Sequence, residues 1–278
     1  MIRIVTDSNA DLNEEQAKTL GVSGIGYTYV SFGDKSYRTI VELGIPEFHD
    51  MLKTNPNFPK TSAPSIGDFK DIYEKLKGDE VISLHITRDL SGTIASAEAA
   101  AQMVDGDPKI VVIDTRSISA GEALFIEEAR RLIDAGKSLA EVKAGIEAMI
   151  PRVRMHVIFD TLENLKRGGR ASNAQAFLGG LLQMKPILTV KNGKLEPLER
   201  VRTMSKALAR LKEIVVGDLA NVPNARVAII HAAAPAAAEQ LANELTTALN
   251  TKKPLIVEAG PAIAAHSGPG AIGVAYLM

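Results

Sequence analysis

Short runs of β-branched and aliphatic residues alternate along this chain with longer stretches whose apolar positions recur at helical spacing. Residues 2–5, 81–86 and 110–113 are such short runs, each followed by turn-forming residues, and the pattern predicts buried strands. Between them lie amphipathic segments with helix-start signatures. Asp11-Leu12-Asn13-Glu14, Ser65-Ile66-Gly67-Asp68 and Ser138-Leu139-Ala140-Glu141 each set a capping residue three positions before a carboxylate. Strands alternating with helices imply an α/β unit of three layers, α/β/α, around a mainly parallel sheet.

Pro151 resists continuing the preceding helix and marks the expected boundary. Residues 1–151 read as an N-terminal α/β domain and residues 152–278 as a C-terminal α+β domain. In the second part, residues 152–160 predict one strand, and residues 187–190 and 195–198 flank Lys191-Asn192-Gly193-Lys194. Asn-Gly between two strand-like runs is a hairpin signal. Residues 227–231 and 255–257 add strands, helices are expected around 204–216 and 235–249, and a last strand runs from about residue 270. Hairpins mixed with helices predict a mixed sheet carrying helices.

Composition narrows the function. The chain has 278 residues, 46% hydrophobic and 23% charged, which is ordinary for a globular protein with sizeable cores. A net charge of −1 with interspersed signs gives no footprint for nucleic acid. No apolar run approaches the ~20 residues of a membrane span, and residues 1–7 lack the features of a secretory signal. A cytoplasmic location without membrane insertion is expected. With no Cys, thiolate metal sites and iron–sulfur clusters are excluded.

The candidate chemistry lies in hydroxyl-bearing loops that leave strands and enter helices: Thr6-Asp7-Ser8, Thr61-Ser62-Ala63-Pro64-Ser65 and Leu90-Ser91-Gly92-Thr93. A fourth loop, Ala265-His266-Ser267-Gly268-Pro269-Gly270, adds an imidazole. Hydroxyls and free helix N-terminal N–H groups both donate to oxygen, so the set suits an anion. Ser91 also reads as the cap of a helix over 94–103, and Gly92 would let a ligand approach the backbone. Thr61 stands where no helix needs it, whereas Ser65 reads as a cap. Asp7, without metal-ligating neighbours, reads as an organiser of its loop.

Other motifs thin out on inspection. Gly268-Pro269-Gly270-Ala271-Ile272-Gly273 matches G-x-G-x-x-G formally, but the five residues after it are strand-like and too few for a βαβ unit. No G-x-x-x-x-G-K-[ST] loop exists, and no cofactor or metal is implied. A Ser91–His266 hydrolase pair is conceivable, although G-x-S-x-G is absent and no orienting acid is evident; a small-molecule phosphotransferase is the other enzymatic alternative. Lys166-Arg167-Gly168-Gly169-Arg170 precedes a helix start with Ser172 and Gln175 as its box. It and Arg200-Val201-Arg202-Thr203 read as basic elements that aid an anionic site, dock a partner, or simply face solvent.

Taken in order, these segments resemble the DegV family of bacterial fatty-acid-binding proteins. The resemblance is carried by residues 5–12 (VTDSNADL), 61–65 (TSAPS), 90–93 (LSGT), 165–170 (LKRGGR), 185–188 (KPIL), 200–203 (RVRT) and 266–270 (HSGPG), and it spans essentially the whole chain. It implies two α/β domains, a buried long-chain fatty acid such as palmitate, and no catalytic residues. Thr61 and Ser91 would hydrogen-bond its carboxylate, with Ser62, Gly92, Arg170 and His266 around the head group. It also implies a carrier, not an enzyme, that presents the acid to a separate fatty acid kinase for acyl phosphate formation. The chain departs from the family in having Ala63 where Gln is common, and Gly24-Ile25-Gly26-Tyr27 lacks a frequent proline–leucine pair. Acyl preference is the property these departures touch.

Overall fold

The computed structural model describes residues 1–104, 106–171, 174 and 184–278. The strands are β1 (Ile2–Asp7), β2 (Val22–Gly26), β3 (Tyr29–Phe32), β4 (Lys35–Arg38), β5 (Lys60–Ser62), β6 (Glu80–His85) and β7 (Lys109–Asp114). They continue with β8 (Val153–Ile158), β9 (Lys185–Lys191), β10 (Lys194–Val201), β11 (Arg226–His231), β12 (Leu255–Glu258) and β13 (Ile272–Leu277). The helices are α1 (Glu14–Thr19), α2 (Ile45–Thr54), α3 (Ile66–Glu74), α4 (Thr93–Gln102), α5 (Ala120–Asp134) and α6 (Leu139–Met149). After them come α7 (Glu163–Arg167), α8 (Met204–Leu219), α9 (Pro235–Leu249) and α10 (Pro261–Ser267).

β2-β1-β6-β7 form a four-stranded sheet whose pairings are all parallel. Successive strand residues face opposite sides, and the cores follow that rule. Val5 and Val81 pack with Phe69 and Tyr73 of α3 and with Ala97 and Ala100 of α4. Ile4 and Ile82 pack on the other side with Leu124 and Phe125 of α5 and Val142 and Ile146 of α6. That is the three-layer arrangement which the alternation of elements predicts.

The second sheet runs β10-β9-β8-β13-β11-β12, antiparallel except for the parallel β11–β12 pair. Ile158, Val227, Ile229 and Val274 bury one face under α8 and α9. Met155, Val157, Leu188 and Ile230 of the opposite face join the core that includes α5. Helix α5 therefore touches β1 and β6 on one side and β11 and β13 on the other. Arg226 of β11 reinforces the contact by pairing with Glu127 at 2.8 Å and Glu128 at 2.6 Å. Pro151 lies in a 3-10 turn between α6 and β8.

Local signals account for many boundaries. Ser65 and Ser138 cap α3 and α6 with reciprocal bonds to Asp68 and Glu141. Asn192 and Gly193, at φ 49° and 80°, make the tight turn between β9 and β10. The cap of α1 is Asn13, boxed with Gln16, not Asp11. Asp11 instead stands in the left-handed region and is buried against another part of the chain. The expected Ser172–Gln175 box lies outside the described residues. A small antiparallel sheet, β4-β3-β5, joins the two large ones unannounced by the sequence pattern. Among the described residues no helix is long and apolar enough to cross a membrane.

Candidate functional site

A cavity of about 870 Å³, its open mouth included, lies between the second sheet and the loops after β1 and β6. Open parallel sheets place ligands at the carboxyl ends of their strands, and Asn9, Ile86, Leu90, Ser91 and Gly92 line it from there. Its depth is apolar and buried: Ile86, Ile118, Met155, Val157, Phe159, Leu195 and Ile230. Of the polar lining, Thr61, Ser62, Ser91, Arg170, His266 and Ser267 are partly exposed and so mark the mouth, whereas Asn9 and Thr28 are buried. Thr61, Ser62, Ser91, Gly92, Arg170 and His266, the six sequence candidates, all line this one cavity.

Four elements converge to build the mouth. β5 carries Thr61 and Ser62, pairing them with Val30 and Tyr29 of β3. The turn before α4 carries Ser91 and Gly92, and a Cβ on Gly92 would stand 3.8 Å from that of Ala63. The segment after α7 supplies Arg170, whose guanidinium donates to the Leu90 carbonyl at 3.2 Å and the Gly168 carbonyl at 2.7 Å. Helix α10 supplies His266 in its last turn. Thr61 Oγ1 and His266 Nε2 share a hydrogen bond of 2.8 Å.

His266 is held neutral. Burial, with the Arg170 charge second, pushes its pKa down to about 4. Its Nδ1 is buried without a hydrogen-bond partner. A proton there would be an orphaned donor, whereas a proton on Nε2 is donated to Thr61 Oγ1. The Thr61 hydroxyl is then free to donate its own proton into the cavity. Burial also lowers the pKa of Arg170; a guanidinium starts so high that it stays charged at neutral pH. Among the described residues that line it, the mouth thus offers one cation and several hydroxyl donors and no carboxylate.

The two glycines beside Arg170 have different jobs. Gly169 has φ 73°, which favours glycine. Gly168 has an ordinary helical φ of −78°, yet a Cβ there would lie 2.1 Å from His266 Nδ1. Gly168 makes room for the imidazole.

Several expectations need correction. The cap position of α4 is Gly92, one residue later than expected, while the Ser91 hydroxyl still accepts from the Thr93 N–H at 3.3 Å and bonds the Thr93 hydroxyl at 2.8 Å. Thr61 and Ser62 belong to a strand and His266 to a helix, not to loops. The imidazole pairs with Thr61 and not with Ser91, so the Ser91–His266 hydrolase geometry is not formed. Arg200 lies in β10 and Arg202 just beyond it, and neither lines the cavity. Asp7 does organise its loop, accepting from the Asn9 and Ile86 N–H groups at 2.9 and 3.2 Å and bonding His85 at 3.0 Å. Gly268 and Gly270, with φ 71° and 83°, form a turn between α10 and β13. Sequence reasoning missed Asn9 and Thr28 in the lining, and quoted Ser267 in its loop without making it a ligand residue. Thr28 belongs to a hydroxyl cluster with Ser8 and Thr39, gathered from three separate segments and invisible to any linear motif.

This is an α/β protein built on two large sheets and a small one, with a cavity lined by apolar side chains and by a polar set gathered at its mouth. A family model described as "Uncharacterised protein, DegV family" matches residues 1–278, and the chain belongs to that family. Protein DegV of Bacillus subtilis is 34% identical over 278 residues, covering 99% of this chain and 98% of that protein. A DegV family protein from Thermus thermophilus, described by its fatty acid binding, superposes with a TM-score of 0.91 at 36% identity, covering 99% of both chains. A stearic acid-binding protein from Eubacterium ventriosum gives a TM-score of 0.91 at 27% identity, over 100% of this chain and 98% of that one.

Proposed function

We propose that this chain is a carrier that binds a long-chain fatty acid, with the hydrocarbon in the apolar depth and the carboxylate at the mouth. The observation that carries the reading is the polarity of one cavity: a buried aliphatic floor, and hydroxyls with one guanidinium at its open end. Thr61 and Ser91 donate to the carboxylate, Ser62 and the Gly92 backbone lie alongside, and Arg170 supplies the positive charge. His266 acts through Thr61 by fixing which way that hydroxyl points. Burying ~15 methylenes at ~0.8 kcal/mol each favours binding by a gross ~12 kcal/mol. Immobilising the ligand and desolvating its charge oppose this by several kcal/mol. The tail therefore supplies affinity, and the hydroxyls keep a half-buried anion from going unpaired.

The head group's position at the partly exposed mouth leaves it reachable by another protein. A fatty acid kinase that forms the acyl phosphate is the partner proposed for that exposed end, with residues 1–151 and 152–278 as the two domains that embrace the ligand. Denaturing extraction of the purified protein followed by mass spectrometry should release close to one fatty acid per chain. In the T61A/S91A double variant, affinity should fall by about 1.5–3 kcal/mol for each hydrogen bond to the carboxylate that the substitutions remove. No acid on extraction together with no uptake of added palmitate sinks the proposal.

A further inference from the structure

Two cavities meet at one side chain. Met155 lines the apolar cavity and also a separate groove of mixed polarity whose walls include Thr115, Arg116, Ser117, Val153, Arg154 and Val190. Met155 is itself only 1% exposed, so it stands as the partition between them. Its place is at the far end from the mouth. Met155 and Val157 of β8 and Phe159 just beyond it follow one another at alternate positions and line the cavity together. β13 runs antiparallel beside β8 with Ile272 opposite Ile158 and Ala275 opposite Met155. His266, which precedes β13, accordingly sits at the Phe159 end, and Met155 lies ~13 Å deeper along the strand. Beyond the partition the Ser117 hydroxyl is buried with no hydrogen-bond partner.

We infer that Met155 closes the blind end of the acyl cavity and sets the longest chain the protein accepts, an assignment that rests on the fatty-acid reading above. Methionine suits the task, since an unbranched thioether fills an irregular gap without locking the walls. Shortening residue 155 joins the cavity to the groove and gives the methyl end of a longer acid a way onward. Enlarging it shortens the space. Each further methylene that becomes buried is worth a few-fold in affinity, so two added carbons should change preference by roughly tenfold.

The test is competitive loading. Wild type, M155V, M155A, M155F and the near-isosteric M155L are each incubated with an equimolar mixture of myristic, palmitic, stearic and arachidic acids. The bound acids are then extracted and quantified, and thermal melts establish which variants are folded. Expected is a rise of about tenfold in the stearic-to-palmitic ratio for M155A, a smaller rise for M155V, a shift to myristic acid for M155F and no change for M155L. Folded variants that all load with the wild-type distribution overturn the assignment of Met155 while leaving the carrier reading intact. A wild type that takes up none of the four acids overturns both.

Discussion

The backbone N–H of Gly260 donates to Asp11 Oδ1 at 2.8 Å, joining the start of α10 to the loop after β1 across most of the chain. The other carboxylate oxygen of Asp11 accepts from the Ser119 hydroxyl at 2.5 Å. Three segments distant in sequence are thereby pinned at one buried point, and one of them is the helix whose last turn bears His266. Burial holds the Asp11 carboxyl well above the usual carboxylate range, with the bonds from Ser119 and Gly260 pulling the other way.

Replacing Asp11 with Ala should therefore cost about 2–4 kcal/mol, because both buried partners are left without an acceptor. It should also weaken fatty-acid uptake by loosening α10. Asp11→Asn keeps an oxygen for Gly260 and a donor for Ser119, and should retain most of the stability. Urea unfolding of the two variants checks this, and equal destabilisation in both would show that charge and not geometry is what the site needs.

Much of the fold was legible because its signals are local. Ser65 and Ser138 announce helices that begin where the capping pattern says, and Asn192-Gly193 announces a hairpin. The β-branched runs at β1, β6 and β7 mark buried parallel strands. Helix α10 was not legible, since a short alanine-rich segment has no apolar period to read and its position depends on Asp11. The β4-β3-β5 sheet escaped for a similar reason. Its strands are short, and β5 pairs with β3 only after the chain has made α2 in between. At the site, the hydroxyls of Thr61, Ser62 and Ser91 could be picked out from their motifs, but that of Thr28 and the partnership of Thr61 with His266 could not. Nor could the role of Gly168, whose backbone angle gives no reason for glycine and whose neighbour in space gives a strong one.

Gly168→Ala should act on the ligand site more than on the backbone. The added methyl meets the imidazole, which must move off Thr61 or force the turn aside. A drop of tenfold or more in fatty-acid affinity is expected, whereas Gly92→Ala, whose Cβ meets only Ala63 at ordinary contact distance, should fold normally. Calorimetric titration of both variants decides it, and unchanged binding in G168A would remove the imidazole from the account of the head group.

His266 should also make the ligand-free protein acid-sensitive. Its folded pKa is near 4, below the ordinary 6.5, so the unfolded chain binds the proton more readily. Stability is then complete above pH 6.5 and declines as pH falls toward 4, by about 2–3 kcal/mol for this group after allowance for its partial exposure. His49, His156 and His231 are lowered by burial too and add to the slope. The contribution of His266 is the difference between wild type and H266Q in urea midpoints across that range. An identical slope in the two proteins would contradict it.

Glu122 predicts the opposite dependence. It is fully buried in α5 with one oxygen accepting from Thr6 at 2.8 Å and the other without a partner. Burial first, and then the nearby Asp7 charge, raise its pKa well above 4.5. A raised acid keeps its proton in the folded state after the unfolded chain has released it. Its contribution is complete below pH 4.5 and lost as pH rises toward the folded value. Glu122→Gln cannot titrate and should flatten the fall in melting temperature on the alkaline side. A melting profile that falls as steeply in E122Q as in wild type would show that other groups govern it.

Helix α5 is roof to one sheet and floor to the other. Removing either half of the chain would leave that helix with a naked hydrophobic flank, so neither half is expected to persist as a free-standing fragment. The two sheets should melt together, with far-ultraviolet circular dichroism and calorimetry tracing a single coincident transition. An occupant of the cavity, which touches segments from both sheets, would then raise the melting point of the entire molecule and not of one end.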